Sequence, residues 1–245
     1  MEREHFYERV VGELLEQGLV RREMRVLVVA GGELDRRVFA AHGFGDVTFS
    51  NLSSQDAADF EDAEALSYPD GSFDLAVISA ALHHCRSPHH ALLELHRVAR
   101  VGLVALEARD SALMRLAIRL RVVDEFELTA VADSGFRSGG VRNTAVPNYV
   151  YRWTEREVEK TIKSAAPELR HRFAYFRELE LPVSVLELSG RSVWRFAAPV
   201  LRLVARILPR QANLFAFAVF KDGLQPWMQS ETQPDEAWIR RRLGG

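Results

Sequence analysis

Hydrophobic and polar positions alternate in blocks along this chain, and the blocks predict strands that alternate with helices. Apolar positions on one helical face predict a helix over 2–18. A buried strand from Arg25 then runs into a glycine turn, and a helix follows over 33–41, which Gly43 is placed to end. The next strand begins at Val47. Strand, glycine turn and helix open a doubly wound sheet, in which ligands bind beyond the carboxyl ends of the strands.

The most apolar run of the first half follows a Pro-Asp-Gly-Ser turn and predicts a buried strand over 73–78. The carboxyl end of this strand is the segment 79–84. Ser87 and Pro88 predict the start of the next helix, with serine as the cap and proline in the first turn. A strand over 103–107 follows. The repetition of strand, helix and strand implies a parallel sheet with right-handed crossovers.

The pattern changes after Asp110. A helix is predicted over 111–123, and the segment 132–151 is then polar and rich in glycine. A loop of this length within a compact domain is usually functional or disordered. Its side chains suit either the lining of a polar organic substrate or an ordered surface loop, and its position between core elements favours the substrate role. The candidate substrate residues are Arg142, Asn143, Asn148, Tyr149 and Tyr151.

The late part of the chain predicts a helix and two strands. Thr154 and Glu157 have the spacing of a capping box, so a helix begins at Glu155. Alternating positions predict a strand over 171–181, and the apolar run 213–221 predicts the final strand.

Composition excludes several classes of protein. The 245 residues, 47% of them hydrophobic, suffice to bury a full core, and one domain with an insertion fits the length as well as two domains. The net charge of -2 argues against general nucleic-acid binding. The lone Cys85 excludes an internal disulfide and suits a reducing cytoplasm. No apolar run approaches the roughly twenty residues of a membrane span, and the acidic start is no signal peptide. We therefore expect a cytoplasmic protein.

An ordered motif occupies the stretch from Asp62 to His84. It consists of Asp-Ala-Glu-Ala-Leu, a Pro-Asp-Gly turn, Ser-Phe-Asp, a strand and Leu-His-His. This order resembles the class I S-adenosylmethionine-dependent methyltransferases, within them the methyltransferase type 11-like branch. The resemblance implies an α/β fold with a doubly wound, mostly parallel seven-stranded sheet, an antiparallel last strand, and a helical and loop insertion before the final strands.

The resemblance also implies a division of the chain. One methyltransferase domain is expected over 1–223, and a peripheral tail over 224–245. The parts of the domain are an N-terminal helix over 1–24, a cofactor-binding half over 25–109, a substrate-side insertion with late elements over 110–212, and the final strand over 213–221.

S-adenosylmethionine is the cofactor that the resemblance implies. Asp62 and Ala63 match the positions that contact the adenine ring, with the carboxylate accepting a hydrogen bond from the amino group. Asn51, about twenty residues past the glycines, stands where such a site bonds the ribose hydroxyls. Glu33 offers a carboxylate to the amino group of the cofactor. The expected cofactor-binding residues are Ala30, Gly31, Gly32, Glu33, Asn51, Asp62, Ala63 and Ser79.

The glycine turn departs from the family motif Asp-x-Gly-x-Gly-x-Gly. Val28 stands at the acidic position, Ala30 at the first glycine and Leu34 at the third, and only Gly32 aligns. These departures leave a second hypothesis open, a non-catalytic or repurposed member of the fold with a degenerate cofactor loop. A nicotinamide-dependent oxidoreductase is a third hypothesis, and it rests only on the strand-glycine-helix opening, because a complete Gly-x-Gly-x-x-Gly is missing.

The histidines after the central strand are the candidate catalytic residues. The resemblance places His83 and His84 beside the methyl group, where one acts as general base and the other as a hydrogen-bonded support. Together with Cys85, His89 and His90 they have no known zinc spacing, so no metal is expected. The predicted reaction is O-methylation, in preference to N- or C-methylation, of a small molecule, a glycan or a lipid-linked precursor.

The segment 192–209 predicts an amphipathic helix whose arginines share one face. Such a helix either makes a peripheral contact with an anionic membrane or packs on the domain with its arginines in solvent. Packing on the domain is favoured, because amphipathic helices are common in soluble proteins. No feature of the sequence specifies the oligomeric state.

Overall fold

A computed structural model of the chain describes residues 2–52, 59–180, 203 and 207–244. Within these residues a seven-stranded sheet has the order β3-β2-β1-β4-β5-β7-β6. Its strands are β1 (Val26–Val29), β2 (Val47–Asn51), β3 (Asp59–Phe60), β4 (Phe73–Ser79), β5 (Ala99–Ala108), β6 (Leu169–Glu178) and β7 (Leu214–Leu224). β1 to β5 pair in parallel, whereas β7 is antiparallel to both β5 and β6. The predicted doubly wound sheet with an antiparallel last strand near its edge is confirmed.

Helices and short segments connect these strands. The helices are α1 (Glu2–Glu16), α2 (Glu33–Ala41), α3 (Pro88–Val98), α4 (Ala112–Arg119), α5 (Leu128–Asp133), α6 (Glu155–Ala165) and α7 (Glu236–Leu243). Single 3-10 turns occupy Leu82–His84, Val141–Asn143 and Pro209–Gln211. A small hairpin of β8 (Met228–Ser230) and β9 (Gln233–Pro234) precedes α7.

The central strands are buried on both faces. In β1, Leu27 and Val29 pack into a core with residues of α3 and α6, whereas Val26 and Val28 pack into a second core with residues of α1 and α2. Successive side chains of a strand point to opposite faces of the sheet, so both sets must be apolar. This is why the central strands form continuous apolar runs rather than an alternating pattern.

Capping residues begin two helices at the predicted positions. The Ser87 hydroxyl accepts a hydrogen bond from the backbone N–H of His90 (3.4 Å), with Pro88 in the first turn of α3. In α6, the Thr154 hydroxyl accepts from the N–H of Glu157 (3.3 Å), and the Glu157 carboxylate accepts from the N–H of Thr154 (2.9 Å). Both pairs satisfy N–H groups that the first helical turn leaves without partners.

The helix predicted over 111–123 is shorter than expected and ends at Arg119. Arg121 has a left-handed backbone conformation (φ +57°), and the N–H of Val122 donates to the carbonyl of Ala117 (2.9 Å). This arrangement closes the last turn as a helix-ending motif does. No glycine marks the position, so the apolar pattern alone overextended the helix.

Other boundaries differ by a few residues. β6 ends before the predicted limit at 181, and β7 continues past 221. α5 begins before the predicted loop 132–151 and had no counterpart among the predicted elements. The predicted helix over 192–209, with its proposed membrane contact, lies outside the described residues except for 203 and 207–209. No helix in the described ranges combines the length and the apolar character that crossing a bilayer requires.

Candidate active site

A cavity of about 250 Å³ lies beyond the carboxyl ends of β1, β2 and β4. β1 sits between β2 and β4, so the strand order reverses at this point, where doubly wound folds bind their ligands. Residues from both halves of the predicted site contribute to the lining. They are Ala30, Asn51, Asp62, Ala63 and Ser79 from the cofactor set, His84 from the catalytic set, and Arg142 and Asn143 from the substrate set.

Three predicted cofactor residues do not line the cavity. Gly31 donates its N–H to Ser50 (3.0 Å), and a Cβ on Gly31 would lie 2.8 Å from the Phe49 ring, so close packing requires this glycine. Gly32 caps α2 and donates its N–H to the Asp35 carboxylate (2.9 Å). The Glu33 side chain is 76% exposed. The structure therefore does not bring the Glu33 carboxylate to the cavity.

Two alanines at strand ends have left-handed backbone conformations. Ala30 follows β1 with φ +55°, and Ala80 follows β4 with φ +49°. Both residues line the cavity. A residue with a Cβ pays about 1–2 kcal/mol for this conformation, which glycine adopts freely. Ala30, which stands at the position of the first glycine of the family motif, thus has a conformation that favours glycine.

The predicted adenine ligand Asp62 has both carboxylate oxygens engaged. Its Oδ1 accepts the backbone N–H of Glu64 (3.0 Å), and its Oδ2 forms an ion pair with Arg142. The Asn51 side-chain amide donates to the carbonyl of Gly31 (3.4 Å) at the end of β2. A cofactor amino group that binds Asp62 must therefore compete with Arg142 for the carboxylate.

His83 lies between two carboxylates. Its Nδ1–H donates to Oε2 of Glu107 (2.7 Å), whose side chain is fully buried (0% exposed), and its Nε2 is 3.4 Å from Oε2 of Glu127. The other oxygen of Glu107 accepts the N–H groups of Ala81 (2.9 Å) and Leu82 (2.7 Å). Burial opposes the charged form of His83, but Glu107 and Glu127 outweigh it and raise the pKa of His83 to about 10.

His84 lies next to His83, with ring centroids 4.5 Å apart. Its Nδ1 is 3.4 Å from the carbonyl oxygen of Gly140, an atom that only accepts, so Nδ1 carries the proton. Burial and the neighbouring His83 lower the pKa of His84. Its Nε2 therefore holds a lone pair, 3.4 Å from Oε2 of Glu127.

Glu127 joins the two histidines and receives a third contact from Asn148. The Asn148 amide donates to Oε2 of Glu127 (3.2 Å), and the residue is completely buried. The hydrogen bond from His83, helped by the charges of both histidines, outweighs burial and lowers the pKa of Glu127 to about 2. One nitrogen or oxygen atom from each of His83, His84 and Glu127 falls within 4.8 Å of the others, a cluster that can hold a metal ion.

The sequence reasoning missed Glu107 and Glu127. A signal for Glu107 was present, because it is an ionisable residue at the end of the predicted strand 103–107, whose other residues are apolar, and such groups are rarely buried without a partner. Glu127 lies in the connection between α4 and α5, where no local pattern distinguishes it from neighbouring acidic residues.

Three candidate substrate residues lie outside the cavity lining. Asn148 is completely buried and donates its amide to Glu127. Tyr149 contacts Phe126 and is about half exposed. Tyr151 donates its hydroxyl to Glu157 (2.9 Å) at the start of α6. Only Arg142 and Asn143 of this set face the cavity.

Comparison with known proteins gives one family match. Residues 44–105 match the model described as a methyltransferase domain. The match includes β2, β4, the histidine pair and α3. No curated protein matches the sequence.

Solved structures share the fold at low sequence identity. The YcgJ protein from Bacillus subtilis has a TM-score of 0.52 and 15% identity over 89% of this chain and 98% of that one. Magnesium protoporphyrin IX methyltransferase from Synechocystis PCC 6803, with bound SAH, has a TM-score of 0.52 and 11% identity over 90% and 84%. A putative methyltransferase from Haloferax volcanii, in complex with its Trm112 activator, has a TM-score of 0.52 and 16% identity over 89% and 90%.

Proposed function

We propose that this chain, a class I methyltransferase by its fold and by the domain match of residues 44–105, methylates an oxygen atom of a small molecule, a glycan or a lipid-linked precursor. The resemblance seen in the sequence is confirmed, and the matched domain indicates S-adenosylmethionine as the cofactor. The acceptor and the atom that receives the methyl group are our proposal. The observation that carries it is that His84 lines the same cavity as Asp62 and Asn51.

The cavity residues suit a nucleoside cofactor. The Asp62 carboxylate accepts hydrogen bonds from an amino group, and the Asn51 amide both donates to and accepts from ribose hydroxyls. Ala30 and Ala63 contribute small side chains that let an adenosine approach the backbone closely. The cofactor would supply a methyl group already activated on a sulfonium sulfur. The protein then has to orient the acceptor, exclude water and manage one proton.

The histidine pair favours oxygen as the atom that receives the methyl group. A hydroxyl needs to lose its proton to become a good nucleophile, whereas a neutral amine already presents a lone pair. The Gly140 carbonyl fixes the proton of His84 on Nδ1, so Nε2 can accept the proton of a hydroxyl. His83 is held by Glu107 and acts as a support for its neighbour. Arg142 and Asn143 present polar groups to the remainder of the acceptor.

A titration tests the cofactor part of the proposal. We expect S-adenosylmethionine and S-adenosylhomocysteine to bind the purified protein with micromolar affinity in calorimetry. Asp62→Ala should weaken this binding by at least about tenfold, and Asp46→Ala, which removes an exposed carboxylate at the opposite end of β1, should keep it. If neither ligand bound to the wild-type protein, this result would contradict the proposal.

An acceptor screen tests the reaction. Candidate alcohols, glycans and lipid-linked hydroxyl compounds are incubated with the protein, and release of S-adenosylhomocysteine is measured. We expect His84→Ala to lower turnover by at least about 100-fold, within the range for loss of a general base. Unchanged turnover in both His83→Ala and His84→Ala would disprove the proposed base and leave the transferase assignment intact.

A non-catalytic member of the fold is the second candidate function. The ion pair of Arg142 with Asp62 favours it, because this pair occupies the carboxylate expected to bind the adenine. The departures of the glycine turn at Val28 and Leu34 point the same way. The calorimetric titration separates the two candidates, since only a repurposed protein would fail to bind both ligands.

A further inference from the structure

Two histidine nitrogens and one carboxylate oxygen converge beside the cavity, which His84 lines. Nε2 of His83 and Nε2 of His84 each lie 3.4 Å from Oε2 of Glu127. Zinc bonds to nitrogen and oxygen are about 2.0–2.2 Å long, so a tetrahedral ion separates its ligand atoms by about 3.3–3.5 Å. The hydrogen bond between His83 and Glu127 is long at this separation, since N–H···O bonds are usually about 2.7–3.2 Å. Both measured separations match the edge of a metal tetrahedron.

We propose that His83, His84 and Glu127 bind a divalent transition-metal ion, with zinc as the best fit. Two imidazoles and one carboxylate form a ligand set that suits zinc and its neighbours in the first transition row, rather than magnesium or calcium, which prefer all-oxygen sites. Three protein ligands with an open fourth position are the arrangement of catalytic rather than structural zinc sites.

The contacts around the three ligands support the same assignment. Nδ1 of His83 faces Glu107 (2.7 Å), and Nδ1 of His84 faces the Gly140 carbonyl (3.4 Å). Metal-binding histidines characteristically give their second N–H to a carboxylate or a backbone carbonyl, which directs the other nitrogen to the ion. Both nitrogens that remain point to the same carboxylate oxygen.

A hydrogen bond from Asn148 also holds the Glu127 carboxylate in place. The fully buried Asn148 donates its amide to the Glu127 carboxylate (3.2 Å), and its own Oδ1 has no hydrogen-bond partner among the residues that the structure describes. Glu107 and Glu127 together place two negative charges around His83, and this field favours a divalent cation just as it favours a proton. The ion would replace the proton between His83 and Glu127.

The His84 side chain is 30% exposed and lines the cavity, so we infer that the open position is reached from the cavity. The consequence for catalysis rests on the proposed function, whereas ion binding itself does not. The charge of the ion lowers the pKa of an acceptor hydroxyl in the open position. The hydroxyl proton passes to solvent, the oxygen forms its bond to the methyl carbon as the carbon–sulfur bond breaks, and the sulfur keeps that electron pair. With the ion bound, His84 serves as a ligand, whereas in the metal-free protein it is the proton acceptor proposed above.

Metal binding by the protein alone is the decisive experiment. Untagged protein is stripped with a chelator, dialysed, and titrated with Zn²⁺ in a calorimeter and with Co²⁺ in a spectrophotometer. We expect one ion per chain with micromolar or tighter affinity, and Co²⁺ absorption of the intensity that tetrahedral sites give. Absence of stoichiometric binding by wild-type protein would overturn the proposal, whatever the variants do.

Matched variants locate the site. Glu127→Gln and His84→Ala should each weaken Zn²⁺ binding by at least about 100-fold, the upper range for disturbance of the surrounding shell alone. Glu125→Gln and His90→Ala remove an exposed acid and an exposed histidine nearby and should bind like wild type. Circular dichroism confirms folding, and equal affinity in all four variants would overturn the assignment. Binding of S-adenosylmethionine, measured on the same metal-free samples, reports on the proposed function separately.

Discussion

The two sides of the cavity differ in how the chain builds them. The cofactor side consists of the carboxyl ends of β1, β2 and β4, which the regular alternation of strands and helices brings together. The side that we propose for the acceptor consists of His84, which lines the cavity, and of His83 next to it. Their partners come from elsewhere, namely Glu107 at the end of β5 and Glu127, Gly140 and Asn148 from the insertion. The first side follows from the fold, whereas the second depends on a few long-range side-chain contacts.

Backbone hydrogen bonds join the two ends of the insertion between β5 and α6, and we call this junction its neck. The N–H of Asp110 donates to the carbonyl of Trp153 (3.0 Å), and the N–H of Trp153 donates to the carbonyl of Ala108 (2.9 Å). Beside them the Arg109 guanidinium, 4% exposed, binds both oxygens of Glu155 (2.7 and 2.8 Å). This neck joins the insertion, which carries Glu127 and Gly140, to the sheet.

The largest expected effect is the loss of stability in Glu155→Gln. The substitution leaves the buried Arg109 charge without its partner, which typically costs about 3–5 kcal/mol, and we expect a loss near about 3 kcal/mol because Glu155 is partly exposed. Urea unfolding at pH 7 measures it. Glu236→Gln removes an exposed ion pair in α7 and should change stability by less than about 0.5 kcal/mol.

The same variant has a defined pH dependence. Burial opposes ionisation of Glu155, but Arg109 and Arg177 outweigh it and lower its pKa to about 2, from 4.5. A depressed folded-state pKa adds stability above the unfolded value, and this stability is lost as pH falls toward the folded value. The difference between wild type and Glu155→Gln should therefore be constant above about pH 5 and shrink between pH 4.5 and 2. A difference that persists unchanged at pH 2 would contradict the assigned pairing.

Glu107→Gln should lower turnover and leave cofactor binding nearly unchanged. The amide can still accept from the N–H groups of Ala81 and Leu82, but its NH₂ group then opposes the Nδ1–H of His83. We expect turnover with the acceptor found by the screen to fall by about 100-fold. Calorimetry should show less than a threefold change in affinity for S-adenosylmethionine. Glu125→Gln is the matched control, and an equal loss of cofactor affinity and turnover would mean that the two sides are not separable.

On the cofactor side, removal of Arg142 should strengthen binding. The cofactor must displace this guanidinium from Asp62, and an exposed ion pair contributes up to about 1 kcal/mol. We expect Arg142→Ala to raise affinity for S-adenosylmethionine by about threefold to fivefold, and Asp62→Ala to lower it by at least about tenfold, the effect of one lost charge-assisted hydrogen bond. Arg119→Ala, an exposed arginine in α4, is the control. Weaker binding in Arg142→Ala would show that this arginine contacts the cofactor instead of competing with it.

These contrasts explain how far the sequence alone could predict the molecule. β1, β4 and β7 followed from apolar runs, β6 from alternation, and the starts of α3 and α6 from capping residues, because these signals act over a few neighbouring positions. The short β3 was not predicted. The end of α4 at a left-handed Arg121 carries no such signal. Asp62 and Asn51, predicted from motif and spacing to bind the cofactor, both line the cavity, whereas the predicted Glu33 side chain is exposed to solvent. Glu127 reaches His83 only through the path of the insertion, which no local pattern encodes.

The smallest expected effect concerns the glycine turn itself. Ala30→Gly removes a left-handed strain of about 1–2 kcal/mol and adds about 0.4–1 kcal/mol of unfolded-state entropy, so we expect a gain near about 0.5–1 kcal/mol in urea unfolding. Ala41→Gly, in the last turn of α2, should instead lose stability. Loss of stability in both variants would show that the turn is not strained. A gain in stability with cofactor affinity unchanged within twofold would mean that the fold around Ala30, rather than a glycine at that position, sets the shape of the turn.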